Sequence, residues 1–138
     1  MRNKYSLFFL LFFSGLLLYY FLFVRVSPET KNRLIVEQQL SAALDQAEAM
    51  WVRPALMEGA GRDFTRLDED EILLSLRLRG ELSEANGKPI LLNDHAAYSV
   101  MILSPESLML EATPSAGSEK ITVTLWRSDG VWIREPDF

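Results

Sequence analysis

Four consecutive acids, Asp68-Glu69-Asp70-Glu71, with Asp63 close by, form the densest group of side chains able to do chemistry. Carboxylates bind calcium through hard oxygen contacts, but this run lacks the glycine and the alternate spacing of an EF-hand loop. Four adjacent acids also cannot all face one ion on a strand or helix. The run reads first as a solvated connector, second as a docking site for a basic partner, and third as a calcium site. His95 is the one histidine, in Asn93-Asp94-His95. A single imidazole without a second ligand or an evident nucleophile reads as a loop histidine. No serine lies in a Gly-x-Ser-x-Gly turn, and the absence of cysteine excludes thiol catalysis and every Cys-based metal site. There is no phosphate-cradling glycine loop and no dinucleotide fingerprint. Paired carboxylates for glycoside hydrolysis stay open, since their separation in space decides that chemistry. Trp126 and Trp132 flank the last turn; they read as cross-strand packing, or as a contact surface if they are exposed. The expectation is a protein that is not an enzyme and uses neither a cofactor nor a metal.

These groups are carried by elements that begin with an uncharged apolar run over residues 5–24, preceded by Arg2 and Lys4 and followed by Arg25. Twenty residues rising about 1.5 Å each match the roughly 30 Å hydrocarbon core of a bilayer. A secretory signal has a shorter apolar core and a small-residue exit, whereas this run continues through Tyr19, Tyr20, Phe21, Leu22 and Phe23 into Val24-Arg25-Val26. The reading is an uncleaved, single-pass anchor over residues 5–26 behind a basic head of residues 1–4. Phe8 with Phe12 and Phe9 with Phe13 are four-residue pairs that build an aromatic ridge. That ridge serves as lipid-facing bulk or as a docking face for another membrane helix. The basic counts on the two sides are nearly balanced; a short basic start before a long apolar run predicts the head in the cytoplasm and residues 27–138 exported, periplasmic or extracellular.

Removing Arg2, Lys4 and Arg25, and no acid, from a chain of 14 basic and 19 acidic residues leaves an exported part with net charge −8. Such a surface repels nucleic acid. About 110 residues suffice for one core and not for two.

Ser27-Pro28-Glu29-Thr30 reads as a helix start, with Ser27 as the N-cap and a kink at Pro28 if the helix is continuous with the anchor. Val36, Leu40, Ala43, Ala47 and Met50 recur at spacings of four and three, widened by Leu44 and Trp51, so residues 27–61 hold an amphipathic helix or stalk. Its stripe packs on the protein's own sheet with Trp51 in the core, or pairs copies in a short coiled coil. Residues 62–71 are read as an acidic connector. Ile72, Leu74, Leu76 and Leu78 alternate with Leu73, Ser75, Arg77 and Arg79 and predict a strand. Asn86-Gly87 signals a tight turn before a strand at 89–92. Strands follow at 98–103 and 108–113 around Ser104-Pro105-Glu106-Ser107, then at 121–125 and 131–134 around Ser128-Asp129-Gly130. The predicted class is α+β: a transmembrane helix, an amphipathic helix, and a C-terminal antiparallel meander over residues 72–138 forming one domain with that helix.

A short basic leader, an apolar helix, a proline about twenty residues into it, an amphipathic continuation and a C-terminal antiparallel sheet together resemble the pilin and pseudopilin class. That class has a glycine at the end of its leader, where this chain has Ser6 after Tyr5, and a glutamate early in the apolar segment, near Leu11 here. The resemblance implies proteolysis just before Leu7 and packing into a pilus or secretion-system assembly. Residue chemistry alone predicts a noncatalytic assembly component that contacts the bilayer through residues 5–26. Its expected partner is another envelope protein, with the helix available for homo-oligomers.

Overall fold

A computed structural model describes residues 4–21, 28–116 and 119–136. The apolar run begins as helix α1, Lys4–Tyr19, with every described side chain from Tyr5 to Phe21 exposed. Sixteen residues span about 24 Å, and among the described residues no helix is long and apolar enough to cross a membrane. The Ser27 cap and the join between anchor and stalk, on which a kink before Pro28 depends, fall on residues 22–27, outside the described residues, as does the head before Lys4.

Helix α2, Pro28–Val52, starts at the proline that the sequence placed in the first turn, where a missing N–H costs nothing. Its buried side chains are Asn32, Val36, Leu40, Ala43, Leu44, Ala47, Met50 and Trp51, the predicted stripe extended by one polar position. They lie on a six-stranded antiparallel meander in chain order: β1 Glu81–Ala85, β2 Lys88–Leu92, β3 Ala96–Ser104, β4 Ser107–Pro114, β5 Ile121–Ser128 and β6 Val131–Glu135. Alternation decides which side chains meet the helix: Tyr98 and Val100, Leu108, Leu110 and Ala112, and Ile121, Val123 and Leu125 are buried. Two of the hairpin turns use left-handed backbone, Asn86-Gly87 and Asp129-Gly130 each having positive φ, which matches the right-handed twist of the strands they join.

Residues 72–78 are not a strand. Residues 72–75 belong to helix α3, Glu69–Ser75, which Leu76 closes, and 76–78 leave it through a turn; Ile72, Leu73 and Leu76 are buried. Ile72 and Leu76 are four apart, so one set of leucines satisfies the helical period as well as the alternating one. The acids decide between the two: Asp68 precedes the helix while Glu69, Asp70 and Glu71 fill its first turn, where negative charge meets the positive end of the helix dipole. The supposed connector therefore supplies the start of α3, after a single 3-10 turn at Phe64–Arg66 that buries Phe64.

The β1–β2 hairpin pairs over its whole length, from Glu81↔Leu92 to Ala85↔Lys88. β2 meets β3 only at Leu91↔Tyr98 and Leu92↔Ala97, so the hairpin tip projects beyond the sheet.

Candidate functional site

At the C-terminal end of α2, Trp51, Trp132, Phe64 and Arg127 converge. Trp51, 5% exposed, donates its indole Nε1–H to the Pro105 carbonyl at 2.9 Å, which ties the helix end to the β3–β4 turn. The Trp132 ring stands edge-on to Trp51 at 5.2 Å and lies 6.1 Å from Phe64. The Arg127 guanidinium covers both indoles, 4.8 Å from Trp51 and 5.5 Å from Trp132. A cation over two indole faces is a stabilising arrangement in which the arginine stem also shields the rings from water.

Trp126 and Trp132 do not form a pair. Trp126 is opposite Ile133 and Arg127 is opposite Trp132, so the two tryptophans occupy opposite faces of the sheet. Trp132 packs against the core side, whereas the half-buried Trp126 lies on the face away from the helices, where Met101 and Ile133 are exposed. Phe8, Phe9, Phe12 and Phe13 are all exposed on α1. Asp68, Asp70 and Glu71 bring one carboxylate oxygen each to within 4.8 Å of one another, and all three residues are exposed. Oxygen donors of this kind suit a hard cation, but exposure and the role of these acids at the start of α3 account for the cluster without one.

The chemistry the sequence reading missed is structural and polar. Arg134 of β6, 14% exposed on its side chain, reaches Glu48 at 3.2 Å and also pairs with Asp45, both on α2. Burial works against its charge, and the two carboxylates more than offset that, so its pKa lies above the ordinary arginine value. Asn32, in phase with the core stripe, donates its amide to the His95 carbonyl at 3.1 Å and to that of Ala116 at 3.4 Å; its Oδ1 lies 3.1 Å from His95 Nδ1. Since Oδ1 can only accept, that contact places a proton on Nδ1. His95 is thereby a partner in a structural knot between α2 and two sheet loops. A polar residue in register with an apolar stripe was the available signal.

Gln39 Oε1 accepts from the Tyr98 hydroxyl and, at 3.2 Å, from Asn93. Burial pushes the Tyr98 phenol up to about 12, with the Asn93 side chain acting in the opposite direction. The Thr65 hydroxyl and backbone N–H hold the half-buried Asp63 carboxyl below its usual range, with burial opposing and Arg66 assisting.

The grooves of the domain are shallow surface features. One of about 420 Å³ lies between the start of α3 and the β1–β2 hairpin, lined by Asp68, Glu69, Asp70, Leu82, Ser83, Glu84 and Pro89. Comparison with protein-family models, curated proteins and solved structures finds no match.

Proposed function

We propose that this chain is a noncatalytic, single-pass membrane-anchored assembly component of the cell envelope. On this reading its exported domain, residues 27–138, binds another envelope protein. The observation that supports it is the apolar helix α1, whose side chains are exposed on every side from Tyr5 to Phe21. Phenylalanine and leucine surface on that scale is costly in water, at about 25 cal/mol per Å², and suits a lipid environment. The acidic domain that follows spends its histidine and the largely buried Arg134 on packing α2 to the sheet. The test is alkaline carbonate extraction of membranes together with a reporter fused after Phe138. The expected outcome is retention in the pellet with a reporter active outside the cytoplasm; release into the supernatant, or a cytoplasmically active reporter, overturns the reading.

A second reading is a minor pilin- or pseudopilin-like subunit. The order of elements favours it: an exposed apolar helix, then a long amphipathic helix laid along a C-terminal antiparallel sheet. It requires cleavage just before Leu7, so an intact mass of the membrane form that retains residues 1–6 rules it out.

A further inference from the structure

Helix α2 ends in a turn that displays apolar side chains instead of hiding them. Leu56 is 100% exposed and Met57 65% exposed, and Val52 beside them is exposed as well. The turn is held firmly. Met57 N–H and Gly59 N–H both donate to the Pro54 carbonyl, at 2.9 and 3.1 Å, while Ala60 N–H reaches Met50 and Gly61 N–H reaches Arg53. Glu58 adopts left-handed backbone, and a Cβ on Gly59 would stand 2.1 Å from the Arg53 carbonyl oxygen. An apolar tip fixed in this way loses little conformational entropy on docking, the property of an interface anchor.

Three arginines, Arg53, Arg62 and Arg66, flank the tip in the chain, with Glu58 as the acid directly after Met57. Arg66 and the backbone of Ala55 bound the space beside Gly61, and Arg62 follows in the chain. Among the described residues neither Arg53 nor Arg62 has an ion-pair partner, and Arg66 reaches only Asp63, at 4.0 Å. The groove between α3 and the projecting hairpin has the converse character. Leu82 and Pro89 give it apolar surface, and Asp68, Glu69, Asp70 and Glu84 give it a carboxylate rim without a cationic partner among the described residues. An apolar tip whose flanking charges, Arg53, Arg62 and Arg66 against Glu58 and Asp63, sum to +1 therefore matches a partly apolar groove rimmed by carboxylates, in hydropathy and in the sign of its charge, and both are on this chain.

We propose that the Leu56-Met57 tip of one copy docks into the α3–hairpin groove of a second copy. The contact goes beyond the membrane reading and stands without it, because both surfaces lie outside the apolar run. Desolvation of the two apolar surfaces supplies the attraction, and the opposed charges set orientation and make the contact weaken in salt.

The native chain has no cysteine, so two full-length variants in detergent micelles test the contact, Leu56→Cys and Ser83→Cys. Under mild oxidation a mixture of the two is expected to give cross-linked dimers, while either variant alone stays monomeric. Sedimentation of the full-length parent against Leu56→Ala reads the same contact without cross-linking, and both chains share the apolar run. The substitution is expected to weaken association about tenfold and, at a side chain wholly in solvent, to leave the melting temperature unchanged. Raising salt is expected to weaken the parent's association as well. A mixture that cross-links no better than its components overturns the proposal, as does a Leu56→Ala association curve that overlays the parent's. Self-linking of Leu56→Cys alone would place tip against tip and overturns it equally.

Discussion

Trp51 is the residue at which packing, hydrogen bonding and electrostatics can be separated by substitution. Trp51→Ala removes a side chain that is 5% exposed, together with its hydrogen bond to Pro105, its edge-on contact with Trp132 and the platform under Arg127. Large-to-small changes of this kind cost about 3 to 5 kcal/mol, a figure that already includes the cavity. Against a total stability of about 5 to 15 kcal/mol this is a large fraction. For a domain near 100 residues, at about 4 °C or more per kcal/mol, it corresponds to a fall of about 12 to 20 °C in Tm. Trp51→Phe keeps most of the ring volume and loses the N–H donor. The Pro105 carbonyl would still accept from Phe64 N–H at 3.0 Å, so no buried acceptor is orphaned. The cost should then be about 1 kcal/mol, that of one net hydrogen bond. The assay is thermal unfolding of the full-length chain in detergent, followed by far-UV circular dichroism, with Arg127→Ala completing a double-mutant cycle. A Trp51→Ala melt within 3 °C of the parent, or equal costs for Trp51→Ala and Trp51→Phe, would refute the assignment.

Three further outcomes follow from the same contacts. Arg134→Gln leaves Asp45 and Glu48 without their cation and should cost about 1 to 3 kcal/mol in urea unfolding, between the exposed and buried limits because Asp45 is largely in solvent. The folded Tyr98 phenol, at about 12 against an ordinary value of 10.0, contributes stability that is complete below pH 10 and lost as pH rises through 12. Tyr98→Phe should therefore flatten the alkaline limb of the unfolding midpoint against pH, and a limb as steep as the parent's would count against it. Gly59→Ala places a methyl group 2.1 Å from the Arg53 oxygen, so the turn after α2 must open. Proteolysis there should rise sharply while Gly87→Ala, with open space around its Cβ, leaves that site protected.

The hairpin turns were legible because Asn86-Gly87 and Asp129-Gly130 are residue pairs that tolerate left-handed backbone, and little else in a chain demands them. The α2 stripe was legible because its apolar residues keep helical spacing over more than four turns. Residues 72–78 were misread for the opposite reason: seven residues are too few for one period to exclude the other, and the deciding information lay upstream, in the acids at 68–71. Trp126 and Trp132 looked like a pair because they flank one turn. Only the register across that turn, with Arg127 opposite Trp132, shows that they face apart. Leu56 and Met57 carried a readable sign, two large apolar residues between Pro54 and Gly59, but exposure is a property of the folded turn and not of the tetrapeptide.

The Asn32 knot has a mechanical consequence. Asn32 sits one turn after Pro28, and its amide bonds the backbone at His95 and Ala116, in the loops that close β2 to β3 and β4 to β5. Tension drawn through the chain at Pro28 is delivered within four residues to both loops at once. The start of α2 therefore cannot lift from the sheet without breaking its bonds to both loops, so two strand connections that are distant in sequence yield together at one asparagine.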